Sequence, residues 1–380
     1  MLPAPSAAVF ERSTSIALAR RQWIDGAHDG GVAPVEPWLV RSWQRCLGAG
    51  HRPHQRVLFD PVSRHAAQRV AERNRPLVDA ARPVLERLSH ALADTRYFAI
   101  LTDADGVVVD TGALPDGSDV ADRHARDIAR IGIDLSERAV GTTAIGAVLA
   151  EREPVWLHRA EHFFDDTSIY SCAGAPLFGP QGDCIGMLDL TGVQVVERPE
   201  LRHLAVLSAH SIENALVRQQ PHALLLRLNW PGYGGNAESE GLLCLDDDGR
   251  VTASNATARD MLQPALSSVT PSARLHASDL FALPWTMLWD AAQRGDGPVL
   301  DVPLWSGLRL QARPQASRFG TIDAGATTAT PPPRLRELET ALIRQAVEAA
   351  RGNVAEAARV LGISRATVYR KLARNGRASG

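Results

Sequence analysis

The sequence lacks the features that a disulfide scaffold, a zinc site or a membrane span would need. Its four cysteines lie far apart and none belongs to a CxxC pair, so neither a disulfide framework nor a cysteine-based zinc site is expected. No apolar run is long enough to span a bilayer. The first thirty residues carry scattered charges and no apolar stretch of the kind found in signal peptides. We therefore expect a cytoplasmic protein.

Lysine is almost absent, and so are the motifs of common enzymes. Among the 41 basic residues Lys371 is the only lysine, and it does not stand in a G-x-x-x-x-G-K-[ST] phosphate-binding loop. No G-x-S-x-G turn of a serine hydrolase is present. His158 and His162 would share a metal only within one helix, whereas His158 is predicted to end a strand. We expect no enzyme, no ATP hydrolysis, no cofactor and no metal site.

Charge is distributed unevenly along the chain. The 380 residues have a net charge of −2, but residues 334–380 hold ten basic and four acidic side chains, which leaves about −8 for the rest. Hydrophobic residues make up 45% and charged residues 22% of the chain, as in soluble globular proteins, and the length predicts two or three domains. A basic tail on an acidic body predicts that only the tail contacts nucleic acid.

The tail has the pattern of a helix-turn-helix. Asn353 is a good helix N-cap, and Glu356, three residues later, can return a hydrogen bond to it. Gly362 can end this helix in a turn that needs positive φ. Ser364 can then cap a second helix. Two short helices joined by a tight turn are the unit that enters the major groove of DNA.

The second helix has the charge pattern of a DNA-recognition helix. Five cations and no acid follow Ile363. Val368 and Leu372 share one face, which is expected to pack inward, and the opposite side is basic. Such a helix places its first turn at base edges and its cations at phosphates. The predicted DNA-contacting residues are Ser364, Arg365, Thr367, Tyr369, Arg370, Lys371 and Arg374.

This segment resembles the Fis-type helix-turn-helix that bacterial enhancer-binding regulators carry at their C-termini. The motifs that carry the resemblance are Ala357-Ala358, Leu361-Gly362-Ile363-Ser364 and Thr367-Val368-Tyr369-Arg370-Lys371-Leu372. The resemblance implies double-stranded DNA as the partner. A Fis-type dimer is expected to read an inverted-repeat operator with half-site centres about 10 bp apart.

Two apolar stripes on the preceding helix predict a homodimer. Together they cover about half of the helix, which is more than one packing neighbour needs. So small a unit also has too little core to be stable alone. The stripes consist of Leu335, Leu338, Leu342 and Ala346, and beside them Ile343, Val347 and Ala350.

The middle of the chain alternates strands and helices, which predicts an α+β domain. Strands are predicted at 97–102, 107–109, 154–157, 171–178 and 184–190, and helices near 120–131, 142–152 and 199–219. Upstream, a short helix at 38–46 precedes a helical stretch over 61–95. Pro76 and Pro83 are expected to break or kink that stretch.

This region resembles the GAF domain of acetoin-catabolism-type activators. Leu135 and Thr143 depart from the family pattern, which has tryptophan and asparagine there, so the ligand is expected to differ from the family's usual one. The N-terminal signature of the same family is similar to Ser42-Trp43-Gln44-Arg45-Cys46. The GAF resemblance itself rests on Ser136-Glu137, Gly141-Thr142-Thr143-Ala144-Ile145-Gly146, Ala160-Glu161-His162-Phe163, Cys172-Ala173-Gly174-Ala175-Pro176 and Gly186-Met187-Leu188-Asp189-Leu190-Thr191-Gly192.

The GAF resemblance implies a small-molecule pocket between an antiparallel sheet and the helices over one face. A helix that begins at Gly141-Thr142-Thr143 offers free N–H groups to a carboxylate, hydroxyl or carbonyl of a ligand. The competing interpretation is that both threonines only cap the helix and that Cys172 is a small buried apolar group. The predicted ligand-binding residues are Glu137, Thr142, Thr143, Glu161, His162 and Cys172.

The predicted architecture is multidomain α+β. Residues 221–237 are predicted to be a loop-rich connector. After it, Gly241–Leu245 and Arg250–Ala253, joined by Asp248-Gly249, repeat the strand, turn and strand of residues 97–109 and resemble the start of a PAS domain. The predicted parts are an N-terminal helical region (1–80), a GAF sensor domain with an antiparallel sheet and flanking helices (81–220), a PAS-like or spacer domain (238–313), a linker (314–333) and a three-helix Fis-type helix-turn-helix (334–377).

These features favour a one-component, ligand-responsive transcription regulator. A metabolite would enter the GAF pocket, the helix over 199–219 would transmit the change, and the Fis-type dimer would alter its hold on DNA. Regulators of the acetoin type usually hold an ATPase domain that contacts sigma-54 between sensor and helix-turn-helix. Here that place holds only the PAS-like segment and the linker, which makes ordinary RNA polymerase a further candidate partner.

Two alternatives remain at this point. The first is a DNA-architectural protein whose GAF domain binds nothing, and thermal-shift titration with metabolites separates it from a sensor. The second is an antagonist that forms mixed dimers with a full-length sigma-54 activator. Promoter fusions in a strain that lacks sigma-54 test this second alternative.

Overall fold

Two five-stranded antiparallel sheets organise the chain, each with helices packed against it. No helix in the described part of the chain is long and apolar enough to cross a membrane. The computed structural model describes residues 7–26, 35–59, 62–232, 240–266, 275–294, 299–317, 343–348, 350–361, 363–365 and 367–369.

The first sheet has the strand order β2-β1-β5-β4-β3. The central strand β5 is hydrogen-bonded to β1 on one side and to β4 on the other. All five strands predicted for the middle of the chain are confirmed. They are β1 (Tyr97–Asp103), β2 (Val108–Thr111), β3 (Val155–His158), β4 (Tyr170–Phe178) and β5 (Cys184–Val193).

Helices cover both faces of the first sheet. On one face α4 (Arg75–Leu92) and α8 (Leu201–Arg218) bury an aliphatic core that includes Leu188 and Leu190 of β5. On the other face lie α5 (Val120–Ile128), α6 (Glu137–Val140) and α7 (Ala144–Glu151), with a second core. Because neighbouring residues of a strand point to opposite faces, β5 contributes to both cores.

Three helices precede α4, namely α1 (Ala7–Trp23), α2 (Pro37–Gly48) and α3 (Arg64–Arg73). Pro37 occupies the first turn of α2, where a missing N–H costs nothing. The helical stretch predicted for 61–95 is broken at Asn74, with Pro76 in the first turn of α4. The helix continues through Pro83, so it is not broken there, and the kink stays a prediction.

The second sheet has the strand order β8-β7-β6-β10-β9. Its strands are β6 (Leu224–Asn229), β7 (Gly241–Leu245), β8 (Val251–Ser254), β9 (Leu300–Pro303) and β10 (Arg309–Ala316), and its helices are α9 (Ala256–Leu266), α10 (Ala277–Leu280) and α11 (Thr286–Gln293). The prediction of a loop-rich connector over 221–237 is wrong, because this segment contains β6.

The position of β6 explains why that prediction failed. β6 is the central strand of its sheet and is hydrogen-bonded to β7 and β10. In the first sheet the equivalent central place is taken by the last strand, whereas here it is taken by the first strand of the unit. The multidomain α+β architecture with antiparallel sheets is confirmed, and the PAS resemblance stays a prediction.

The two strand–turn–strand units that were predicted to repeat do share their turn chemistry. Asp103 Oδ1 accepts hydrogen bonds from the backbone nitrogens of Asp105 and Val107, each at 3.0 Å. Asp246 Oδ1 accepts in the same way from Asp248 at 3.1 Å and Arg250 at 2.8 Å. Each turn then ends in a glycine with positive φ, 83° at Gly106 and 77° at Gly249.

The described residues of the C-terminal unit are helical at 343–348, in α12 (Val354–Leu361), and at 365 and 367–369. Its small core contains Ile343, Ala358, Leu361 and Val368. The predicted apolar stripe residues before 343 lie outside the described residues, so the homodimer stays a prediction.

Candidate effector cavity and DNA-binding helix

A small cavity lies between the first sheet and the helices α5 to α7. Its volume is about 30 Å³, which is room for two or three water molecules. Most of its wall is apolar, and the few polar groups come from β4, β5, the start of α7 and the segment after β3. The described lining residues are Phe59, Ile100, Ile128, Leu135, Val140, Thr143, Ile145, His162, Thr167, Tyr170, Cys172, Asp189 and Thr191.

His162 is a fully buried polar residue of the cavity wall. It follows the 3₁₀ turn Arg159–Glu161 at the end of β3. His162 Nδ1 lies 2.9 Å from the Arg159 carbonyl oxygen, which assigns the proton to Nδ1 and leaves Nε2 as an acceptor. Burial lowers the pKa of His162 to about 4, so the ring is neutral near pH 7.

Cys172, Thr191 and Asp189 extend this polar group across the sheet. Cys172 Sγ lies 3.6 Å from His162 Nε2 and 3.4 Å from Thr191 Oγ1. The Thr191 hydroxyl also donates to Asp189 Oδ2. Asp189 Oδ1 is buried and has no hydrogen-bond partner among the described residues. Burial raises the pKa of Asp189 to about 7 and the pKa of the Cys172 thiol well above its ordinary value.

This arrangement suits the binding of a small uncharged molecule. Cys172 stays a thiol, whereas the reactive form of cysteine is the thiolate. No cationic side chain is among the described lining residues, so an anionic ligand would be buried without a counter-charge. A ligand hydroxyl can donate to Asp189 Oδ1, and a ligand carbonyl can accept from the Tyr170 hydroxyl. The described residues include no group of His, Cys, Asp and Glu that could hold a metal ion.

Three of the six predicted ligand-binding residues line the cavity, namely Thr143, His162 and Cys172. Thr143 Oγ1 also accepts from the Gly146 nitrogen at 3.3 Å, so this threonine caps α7 as well. Leu135 lines the cavity too. Both departures from the GAF family pattern therefore lie where they can alter the choice of ligand.

The other three predicted residues do not line the cavity, and their side chains contact the first two helices instead. Each is buried or nearly so and has a polar partner on α1 or α2, at positions 92 to 149 residues away in the sequence. Their assignment to the pocket is therefore corrected. The pairs are Glu137 with Arg45, Thr142 with Ser42 and Glu161 with Arg12.

Sequence reasoning missed Asp189, Thr191 and Tyr170 as cavity residues. A signal for the first two was present, because they are alternate residues of one strand and so point to the same face. Polar side chains on a face that is otherwise apolar need partners or a function. Tyr170 stands two residues before Cys172 on β4, so the two side chains point to the same face of the sheet and both line the cavity.

The helix-turn-helix begins as predicted, with one difference. Asn353 Oδ1 accepts hydrogen bonds from the backbone nitrogens of Ala355 at 3.1 Å and Glu356 at 3.2 Å, so it caps α12. The predicted return bond from Glu356 is wrong, because its carboxylate accepts from Arg359 at 2.5 and 3.1 Å. Arg359 is one turn further along the same helix and competes for the carboxylate.

The second helix presents polar side chains to solvent. Ser364 Oγ accepts from the Thr367 nitrogen at 3.1 Å, which confirms Ser364 as the cap. Ser364, Arg365 and Tyr369 are exposed, Thr367 is half-buried, and Val368 is fully buried as predicted. The other residues predicted to contact DNA, Arg370, Lys371 and Arg374, lie outside the described residues, as do Gly362 and Leu372.

Two protein-family models match the chain. The model described as "MimR, N-terminal domain" matches residues 14–214, which is more than half of the chain and includes the cavity. The model described as "Bacterial regulatory protein, Fis family" matches residues 334–374, which include the helix-turn-helix.

Curated relatives match half of the chain or more. The acetoin catabolism regulatory protein of Cupriavidus necator is 34% identical over 241 residues, which is 60% of this chain and 35% of the relative. The propane 2-monooxygenase operon transcriptional activator MimR of Mycolicibacterium goodii is 30% identical over 214 residues, 54% of this chain and 34% of the relative. The chain thus spans about a third of the length of these relatives.

A solved structure, the E. coli DhaR(N)-DhaL complex, aligns over 74% of this chain with a TM-score of 0.44 and 14% identity. This similarity is too low to establish a common fold.

The buried Asp189 carboxyl predicts an unusual dependence of stability on pH. The folded protein holds this proton up to about pH 7, whereas the unfolded chain releases it near pH 4. Folding therefore becomes less favourable as pH rises between these two values. Relative to Asp189→Asn, the wild-type free energy of unfolding should be about 2 to 3 kcal/mol larger at pH 5 than at pH 8, measured by urea unfolding.

Asp247→Asn is the matched control, because Asp247 is an exposed acid in the turn between β7 and β8. It should leave the pH profile of the wild type unchanged. Parallel profiles for the wild type and Asp189→Asn would show that this carboxyl is ionised in the folded protein throughout the range.

Proposed function

The chain belongs to the MimR and acetoin-catabolism-type family of transcription regulators and carries a Fis-type helix-turn-helix, and on this premise we propose that it is a ligand-responsive, DNA-binding transcription regulator. The observation that supports this best is a small, mostly apolar cavity lined by Asp189, whose buried carboxyl oxygen Oδ1 has no partner among the described residues, in the same chain as a helix-turn-helix with an exposed Arg365. A cytoplasmic location and a homodimer are part of the proposal.

The proposed effector is a small uncharged metabolite. The described cavity residues include no cation and the neutral His162 supplies none, so an anion would find no counter-charge. The cavity also has room for only a few heavy atoms unless its wall moves. The relatives are named for acetoin catabolism and for a propane 2-monooxygenase operon, and both compounds are small and uncharged.

Helix α8 is the proposed route from the cavity to DNA. It packs on the sheet that carries the cavity, and near its C-terminal end Asn214 Oδ1 accepts from Asn255 Nδ2 at 2.6 Å, which ties it to the second sheet. Near its start, His203 Nε2 lies 2.9 Å from the Val360 carbonyl oxygen of α12. One helix therefore contacts all three units and can carry a change in packing from one to the others.

We also propose that the chain acts without ATP hydrolysis and affects transcription by recruiting or blocking RNA polymerase. The basis is the missing phosphate-binding motif, since the only lysine is Lys371 in the DNA-binding unit. Purified protein should release no phosphate from ATP above the rate of a buffer blank. A turnover that disappears when a residue of this chain is changed would contradict this.

The effector proposal predicts stabilisation by neutral compounds. In a thermal-shift series, acetoin or acetone should raise the melting temperature, whereas the anions acetate and pyruvate should not. Saturation at 100 times Kd corresponds to about 2.7 kcal/mol of added stability. Thr143→Val should weaken the response, because Thr143 lines the cavity, and the neighbouring Thr142→Val should leave it intact. Equal responses of the two variants would place the effector elsewhere.

The DNA proposal predicts two different kinds of mutant. Arg365 is proposed to contact guanine, so Arg365→Ala should remove about 1–3 kcal/mol of preference at one operator position. Lys371 is proposed to contact phosphate, so Lys371→Ala should weaken operator and scrambled DNA alike and lower the salt slope by about one. Binding of both mutants to both DNAs across a salt series measures this. If Arg365→Ala weakens both DNAs equally, Arg365 contacts phosphate, and Thr367 and Arg370 become the candidates for base reading.

A further inference from the structure

The segment that carries His162 receives its backbone hydrogen bonds from the first two helices. Arg20 Nη1 donates to the carbonyl oxygens of Ala160 at 3.1 Å and His162 at 2.6 Å, and Arg20 Nη2 donates to that of Phe163 at 3.1 Å. Trp43 Nε1 donates to the carbonyl oxygen of Glu161 at 2.9 Å. Two side chains, one on α1 and one on α2, thus satisfy four consecutive carbonyl groups.

Neighbouring side chains of this segment point to opposite sides. His162 faces the cavity, whereas Phe163 is fully buried in a core that it shares with Ile16 and Ala19 of α1 and Trp43 of α2. The apolar contact and the hydrogen bonds therefore act together. If α1 and α2 moved away, this wall of the cavity would lose both.

Glu161 fastens the same segment at a second point. Its buried carboxylate pairs with Arg12 of α1 and accepts from the His158 nitrogen at 2.6 Å. The Arg12 guanidinium also lies over the Trp156 ring, 4.0 Å from its centroid. Arg159, which begins the segment, has a φ of 50°, a left-handed conformation that persists only where surrounding contacts hold it.

The pocket-lining polar groups lie behind this wall. His162, Asp189 and Thr191 are almost completely buried, and Cys172 is 5% exposed. His162 Nε2 lies 3.6 Å from Cys172 Sγ, so this wall covers the Cys172 thiol on the side of α1 and α2.

We infer that α1 and α2 form a brace that holds the wall 160–163 against the cavity, with Arg20 as the positioning residue that sets how often the wall opens. This inference rests on the proposed role of the cavity and names what controls access to it. The brace lies on the side of the wall 160–163 that faces away from the cavity. Loosening it exposes the cavity and leaves both sheets intact.

Reaction of Cys172 with methyl methanethiosulfonate, a small thiol reagent, tests this without effector or DNA. The full chain is labelled under native conditions, and mass spectrometry of its peptides gives the rate at each cysteine. Arg20→Ala should speed the labelling of Cys172 about tenfold or more, because three hydrogen bonds to a charged donor are lost. Arg21→Ala, an exposed arginine next to it on α1, should label at the wild-type rate.

Cys244 provides an internal control in the same experiment. It is fully buried in the second sheet and should keep its slow rate in Arg20→Ala. An unchanged Cys172 rate in that variant would overturn the inference. A parallel rise at Cys172 and Cys244 would also overturn it, since Arg20 would then only stabilise the whole fold.

If Arg20→Ala does not fold, hydrogen exchange of the wild-type chain tests the inference instead. The amides of 160–164 should exchange together with those of α2 and faster than those of β4 and β5. Exchange of this segment at the rate of the sheet would overturn the inference. None of these outcomes depends on the proposed effector, so the brace and the proposed function can fail separately.

Discussion

The pairing of β5 on both sides is the constraint from which the cavity-bearing domain follows. β5 is hydrogen-bonded to β1 from Gly186 to Gly192 and to β4 from Cys184 to Val193, so its residues have no freedom to slip in register. Leu188 and Leu190 must then face α4 and α8, and Asp189 and Thr191 must face the opposite side. The burial of a carboxyl group is thus a consequence of the strand's register. Its energetic cost is tolerated at a site where a ligand can complete the missing hydrogen bond.

The cavity-bearing sheet, the second sheet and the helix-turn-helix are connected through α8. The cavity wall near His162 contacts α1 and α2, which precede the first sheet. α8 contacts the first sheet, the second sheet and α12. A ligand that changes the packing of the first sheet therefore changes the surface on which two other units rest. A coupling free energy of about 1.4 kcal/mol is enough to alter DNA affinity tenfold.

Local chemistry was predictable from the sequence, and long-range pairing was not. The strands of the first sheet, the Asp-Gly turns and the caps at Asn353 and Ser364 all depend on residues within a few positions of one another. β6 was missed because Leu224–Asn229 lies between proline- and glycine-containing stretches and has its partners on strands β7 and β10. Glu137, Thr142 and Glu161 were assigned to the pocket for the same reason. Their true partners on α1 and α2 are remote in sequence, and the family motif does not reveal which side each one faces.

The proposed regulation depends on one link, that occupancy of the cavity changes the affinity of the helix-turn-helix for DNA. The most direct test measures DNA affinity. It uses DNA fragments that the chain binds in cells and a compound that raises the melting temperature of the chain. The affinity for the fragments is then measured with and without that compound. The expected change in DNA affinity is about 5- to 150-fold, and linkage requires the DNA to change the affinity for the compound by the same factor. The same DNA affinity with and without a saturating compound would contradict it.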